Sequence, residues 1–280
     1  MATLNVLEFT GLIALGALAA GFLGSLTGLG GGVVIVPLLV LLKVDIHYAI
    51  GASLVSVIAT SSGAAASYVK EGYSNIRIGM LLEIATTFGA LTGAYLTTKL
   101  NPQAISIIFG IVLLASACLS FHRRHRSGDG DKPDPLAVRL RLDSTFPTAE
   151  GTATYHVHRV PLGFGLMYVA GCLSGLLGIG SGALKVLAMD QGMRIPFKVS
   201  TTTSNFMIGV TAAASAGLYL RQGYIDPGLT MPVMLGVLTG SLLGAQVLMV
   251  SRTIVLRRVF GVVIFALALE MIYKGWIGEM

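Results

Sequence analysis

Gly21-Phe22-Leu23-Gly24-Ser25-Leu26-Thr27-Gly28-Leu29-Gly30-Gly31-Gly32 and Gly171-Cys172-Leu173-Ser174-Gly175-Leu176-Leu177-Gly178-Ile179-Gly180-Ser181-Gly182 are one pattern written twice. Six of the twelve positions agree when Gly21 is laid on Gly171, among them Gly28/Gly178, Gly30/Gly180 and Gly32/Gly182. The series continues in order. Ser53 falls on Ser204, Gly72-Tyr73 on Gly223-Tyr224, and Leu91-Thr92-Gly93 on Leu238-Thr239-Gly240. Matches in sequence order are what a duplicated unit leaves behind. In each copy the glycine cluster leads into an apolar run only ten residues long, 33–42 and 183–192.

Composition says where such a repeat can live. The 280 residues are 54% hydrophobic and 11% charged, with 36 glycines and a mean hydropathy of +0.80. An ordinary soluble domain carries about 25% charged residues, so a water-exposed globule and a disordered chain are both excluded. Two cysteines, Cys118 and Cys172, lie in apolar runs and read as small buried thiols rather than a disulfide frame. An all-α integral membrane protein remains, and the net charge of +6 reads as an orientation signal rather than a nucleic-acid patch.

Twelve of the 32 charges fall within residues 122–160, with Pro133, Pro135 and Pro147. This stretch divides the chain into a first membrane repeat, 1–121, a linker, 122–160, and a second repeat, 161–280. Alternation in Val138–Leu142 and Tyr155–His158 suits a small β-hairpin in the linker. Its histidines, His125, His156 and His158, read as surface residues, and no metal site is expected.

Eight of the apolar runs approach the roughly 20 residues that a spanning helix needs. The first is too long and too plain for a signal peptide. If all ten runs cross and the N-terminus lies outside, 14 Lys and Arg fall inside, four outside, and Lys185 within the bilayer. If the short runs only dip in and the N-terminus lies inside, the count becomes 11 to seven. Ten crossings fit the positive-inside rule better. Five segments per half is an odd number, so the expected fold is two inverted-topology repeats with segments 2 and 7 short or broken. The linker is then cytoplasmic and both termini are external.

Ten helical residues cover about 15 Å, half of the hydrocarbon core. Five extended residues, Gly28–Gly32 or Gly178–Gly182, add about 16 Å. The expectation is an unwound strand leading to a half-helix that starts near the midplane. Such backbone is tolerated only in protein or beside a polar cavity. A half-helix N-terminus attracts anions, and two of them at a repeat interface suit a secondary transporter. The alternative is that the glycines merely allow close helix packing.

These clusters, with Pro37 and Ala49-Ile50-Gly51-Ala52-Ser53-Leu54 in the first half and Pro196-Phe197-Lys198-Val199-Ser200-Thr201-Thr202-Thr203-Ser204-Asn205-Phe206 in the second, resemble the sulfite exporter TauE/SafE family, also described as the toluenesulfonate uptake permease group. The resemblance covers both membrane halves. It implies movement of sulfite, sulfoacetate or another organosulfonate across an inner membrane, with export favoured. Where the family pattern has threonine before the first-half serine, this chain has Ala52, which removes one hydroxyl.

The candidate substrate-binding residues are Gly28, Gly30, Gly31, Gly32, Ser53, Gly178, Gly180, Ser181, Gly182, Lys185, Thr203, Ser204 and Asn205. Hydroxyl and amide donors suit a sulfonate oxygen; the competing reading for Ser and Thr is a bond back to their own helix carbonyls. Lys185 and Glu83 are candidates for proton coupling, since a charge inside a membrane segment marks function by default. Two other readings compete with these: Lys185 reaching a carbonyl or the linker surface, and Glu83 lying near the inner interface and pairing with Arg77 or a linker arginine. Asp190 and Glu270 are expected at the interfaces. No phosphate loop, metal-ligand pair or catalytic constellation is present in the sequence, so neither an enzyme nor a cofactor is expected. The expected function is a secondary transporter of a small sulfur-containing anion. A passive anion channel and a membrane scaffold for a sulfur-metabolising partner are the alternatives. A homodimer stays open as a partner, with no sequence feature to mark its interface.

Overall fold

The computed structural model of the chain describes residues 6–27, 31–70, 73–121, 134–148, 151–250 and 253–277. The first half holds α1 (Val6–Thr27), α2 (Gly32–Leu41), α3 (Ile46–Lys70), α4 (Ile76–Thr97) and α5 (Pro102–Phe121). The second holds α7 (Val160–Leu177), α8 (Gly182–Leu187) continuing into a π-helical turn at Ala188–Gly192, α9 (Phe197–Arg221), α10 (Pro227–Val250) and α11 (Thr253–Ile277). Between them lie a short helix, α6 (Pro135–Arg139), and a hairpin, β1 (Ser144–Thr148) and β2 (Gly151–Tyr155), antiparallel with Phe146 opposite Ala153. Segments 2 and 7 are thus the short ones.

Burial runs opposite to that of a water-soluble protein. Leu15, Phe88, Tyr95, Leu220 and Trp276 stand exposed on helix flanks, while Ser53, Thr86, Ser106, Ser200, Ser204 and Ser215 are fully buried. A soluble chain rarely leaves so much contiguous apolar surface; lipid would solvate it. Among the described residues, Ile76–Thr97, Val160–Leu177 and Pro227–Gly244 are long and apolar enough to cross a membrane.

The helices pair between halves rather than within them. α1 lies along α10, α4 along α7 and α5 along α11, while α3 and α9 cross at the centre, with α10 on α3 and α4 on α9. Glycines set these distances. Gly89 and Gly93 back directly onto the Tyr168 and Cys172 carbonyls, as Gly240 and Gly244 back onto those of Leu18 and Phe22. Small residues let membrane helices approach this closely. The packing also moves one sequence match: with Leu18 on Tyr168 and Phe22 on Cys172, Gly93 corresponds to Gly244, one turn beyond Gly240.

The hairpin lies elsewhere than in the expected segments. Val138 falls in α6, because Asp134 caps that helix through Leu136 N–H and Pro135 opens it. The strands form at 144–148 and 151–155 instead. Cys172 is half-buried against the Thr92 hydroxyl rather than enclosed; the Cys118 side chain and His125 fall outside the described residues. His156 pairs with Asp143 at 2.9 Å on the surface.

The linker is docked on the bundle through Asn75. Its amide donates to Leu142 O (3.0 Å) and to Tyr155 Oη (2.7 Å), its side-chain oxygen caps α4 at Ile78 N–H, and its own N–H donates to Thr203 Oγ1 (3.0 Å). Ala137, Leu142, Tyr155 and Val157 share one apolar cluster with Ile78, Leu82, Met167, Met193 and Met207.

Candidate functional site

The chain breaks between α7 and α8. Gly178 ends α7 at φ +67°, Gly180 stands at φ +69°, and Ser181, at φ +45°, opens α8. Glycine populates this left-handed region freely, and serine does not. The break is therefore a tight turn, not the extended strand expected from its length. In the first half, Gly28 and Gly30 lie outside the described residues. Gly31, helical at φ −64°, and Gly32 begin α2.

The second-half break meets the start of α2. A Cβ on Gly32 would stand 2.5 Å from Ser53 Oγ and 2.8 Å from Gly178 O. One on Gly180 would stand 2.7 Å from Ile208 Cγ2 and 2.9 Å from Val57 Cγ1. The second-half turn is thus wedged where α3 crosses α9, touching the start of α2.

The hydroxyls that the repeat marks lie at this crossing. Ser53 donates to Gly178 O at 2.7 Å, across the two halves, and Ser204 donates to Gly182 O at 3.3 Å. Neither bonds back to its own helix, as Ser56, Thr60 and Thr202 do. Thr203 is taken up by Asn75, as described. Ser181 Oγ at the break and Asn205 Nδ2 on α9 have no hydrogen-bond partner among the described residues, as is true of the Ser74, Ser174, Thr201 and Thr230 hydroxyls. Ser181 and Asn205 are only 1% and 2% exposed. Such orphans are rare in native proteins and call for an explanation. Beside Asn205, Ser61 Oγ donates to the Asn205 carbonyl and accepts from Gly209 N–H (3.0 Å), the pair that an α-helix joins directly.

The two charged candidates, read separately from the sequence, are neighbours. Lys185, fully buried, donates from Nζ to Thr211 Oγ1 at 2.5 Å; Thr211 donates to Glu83 Oε1 at 2.6 Å. Lys185 Nζ lies 4.0 Å from Glu83 Oε2. Thr87 also donates to Oε1, at 3.2 Å, and Oε2 has no hydrogen-bond partner among the described residues. Glu83 does not pair with Arg77, which bonds to Arg141 O instead, and Glu83 is 7% exposed. Asp190 is likewise buried, in the π-helical turn, close to where Met193 O accepts from His158 N–H of the linker. Glu270, 4.0 Å from Lys274, is half-buried.

Sequence reasoning missed Thr211, Asn75 and Ser61. Thr211 had a signal: it falls on Thr60 at the offset that places Ser204 on Ser53.

The comparisons with known proteins agree with this architecture. Residues 13–271 match the model of a family described as sulfite exporter TauE/SafE. The chain is 29% identical over 277 residues to the probable membrane transporter protein YunE of Bacillus subtilis (strain 168), covering 96% of this chain and 99% of that one. It is 27% identical to a probable membrane transporter protein of Xylella fastidiosa (strain 9a5c), over 91% and 92% of the two chains. No solved structure matches the chain. Apolar flanks, spanning helices and a match over nearly its whole length lead to one conclusion: this is a multi-pass membrane protein, and it belongs to the sulfite exporter TauE/SafE family.

Proposed function

We propose that the chain is a secondary transporter that moves a small sulfur-containing anion, such as sulfite, sulfoacetate or another organosulfonate, across the inner membrane by alternating access, outward in the cell and coupled to protons. Two inverted repeats, 1–121 and 161–280, are joined by a cytoplasmic linker, 122–160, and both termini are external. The antiparallel course of α3 on α9, with Gly51 against Tyr224 and Ser61 against Gly209, supports the inversion. The substrate site lies where the second-half break meets the start of α2, among Gly31, Gly32, Ser53, Gly178, Gly180, Ser181, Gly182, Ser204, Asn205 and Lys185, with Gly28 and Gly30 completing the first-half cluster. Thr203 holds the linker end of the same helix.

The observation that carries this reading is that two of the orphaned donors, Ser181 Oγ at the break and Asn205 Nδ2 on α9, flank the Ser204–Gly182 hydrogen bond that joins the two elements. Buried polar groups without partners cost about 1–3 kcal/mol each, and an anion's oxygens would satisfy both. Donors of this kind bind a sulfonate without adding a charge that the membrane must desolvate.

The test is purified protein in liposomes with sulfite, sulfoacetate, thiosulfate and an aromatic sulfonate. A carrier shows saturable uptake and counterflow of labelled against unlabelled anion. Flux that rises without saturation assigns a channel, and absence of movement for all four anions refutes the reading.

A further inference from the structure

We propose that Lys185, Thr211 and Glu83 form a coupling unit in which an anion takes Lys185 only as a proton takes Glu83 Oε2, one for one. The proposal rests on the transporter reading above and adds to it a stoichiometry and an order of charges. It begins from charge balance. As the structure stands, the Thr211 hydroxyl accepts from the ammonium and donates to the carboxylate, and the trio is neutral overall.

Other charges that could share the burden are few. α7, α8 and α5 carry no charged residue besides Lys185 itself. On α9, Lys198 sits over the Tyr73 ring at 4.4 Å and Arg221 closes the helix at its far end. On α4, Arg77 is spent on Arg141 O. Asp190 and Arg194, in and just after the π-helical turn, are engaged by contacts of their own.

An anion that draws the Lys185 ammonium to itself therefore leaves Glu83 as a buried, uncompensated carboxylate. That state is strongly disfavoured, and a carboxyl group so placed takes up a proton instead. The oxygen for it is on the page: Oε1 is occupied by two threonine hydroxyls, while Oε2 is buried, unpartnered and 4.0 Å from the ammonium. In the proposed cycle the ammonium keeps its proton. Its positive charge is balanced by the carboxylate in one state and by the anion in the other. Lys185 also reports directly on the break, since its N–H bonds to Ser181 O, one turn away.

The unit occurs once. In the first half the corresponding positions, at the offsets fixed by Gly28/Gly178, Ser53/Ser204 and the α10 packing, are Ile35, Thr60 and Met234. The hydroxyl is kept and both charges are absent. One anion and one proton per cycle, moving the same way, follow from that asymmetry; a monovalent anion then crosses without net charge and leaves the cell only when its own outward gradient exceeds the inward proton gradient.

The experiment uses the full chain in liposomes with an internal pH indicator. Sulfite, sulfoacetate, thiosulfate and benzenesulfonate are offered in turn, and proton movement is corrected for the titration of the anion itself. The expected result is one proton per anion, with benzenesulfonate flux indifferent to an imposed membrane potential. Glu83→Gln, which keeps an acceptor for Thr211, should lose the proton entirely and make benzenesulfonate flux follow the potential. Anion flux without a proton in the wild type overturns the coupling and leaves the transporter standing; no movement of any of the four anions sinks the transporter reading and takes the coupling with it. An infrared measurement needs no substrate. Lys185→Met should create the carbonyl stretch of a protonated carboxyl that the wild type lacks and that Glu83→Gln removes from the double variant. That stretch already present in the anion-free wild type, or missing from Lys185→Met, overturns the proposal.

Discussion

Replacing Ser181 with glycine should make the protein more stable and a poorer transporter. Ser181 holds a left-handed backbone at φ +45°, which costs a residue with a Cβ about 1–2 kcal/mol and glycine nothing. Its hydroxyl is buried and unpartnered, a further cost of about 1–3 kcal/mol. Against these stands the greater backbone freedom that glycine loses on folding, about 0.5–1 kcal/mol. The balance is a gain of about 1–4.5 kcal/mol for Ser181→Gly. If the hydroxyl donates to the anion, its loss removes a hydrogen bond to a charged group, about 1.5–3 kcal/mol, or roughly ten- to a hundredfold in apparent affinity. Thermal unfolding in detergent measures the first effect, and the concentration dependence of counterflow in liposomes the second. A lower unfolding temperature would refute the strain argument, and an unchanged half-saturation concentration would refute the role of the hydroxyl.

Gly178→Ala works in the opposite direction. A Cβ there meets Ile50 Cγ2 at 2.6 Å on a backbone at φ +67°, so strain and overpacking together should destabilise by about 2–5 kcal/mol in the same unfolding assay; a neutral result would mean that the turn relaxes freely. Gly93→Ala should separate α4 from α7 and sharply reduce the yield of folded protein, because its Cβ lands on the Cys172 carbonyl. Gly165→Ala, with nothing within 4 Å, should be tolerated, and equal yields would show that backbone contact does not set the α4–α7 distance. Burial pushes the Tyr155 phenol above its ordinary pKa, outweighing the opposing hydrogen bond from Asn75. The folded state thus keeps that proton longer than the unfolded one, and its contribution is full below about pH 10 and lost as pH rises through the raised value. Amide protection in 151–158, taken relative to the unstructured rate at each pH, should fall on that alkaline limb and lose the dependence in Tyr155→Phe.

Much of this fold was legible because hydropathy and glycine spacing are local signals. The ten-residue runs marked α2 and the α8 segment, and the repeat led to Ser53 and Ser204. Charge in an apolar run singled out Lys185 and Glu83. Their juxtaposition was not legible: α4 and α8 come from different halves, and nothing in the chain order says that they touch. Two features went astray for identifiable reasons. Glycines at 236, 240 and 244 recur every turn, so a match can slip by four residues without losing its pattern, and the packing alone fixes the register. In the linker, alternation at Val138–Leu142 competed with an Asp-Pro helix start, and the cap won. The turned conformation of Gly178–Ser181 was hidden because length arguments bound the span of a loop and not its path.

The pairing of α1 with α10 and of α4 with α7 has a consequence for biosynthesis. As the chain leaves the ribosome, its first five segments enter the bilayer with their glycine-lined faces bare, because the surfaces that cover them have yet to be made. Each half is completed only by the other. Separately expressed halves should therefore be degraded alone and rescued when produced together, so that neither half of the gene can be lost or replaced without the other.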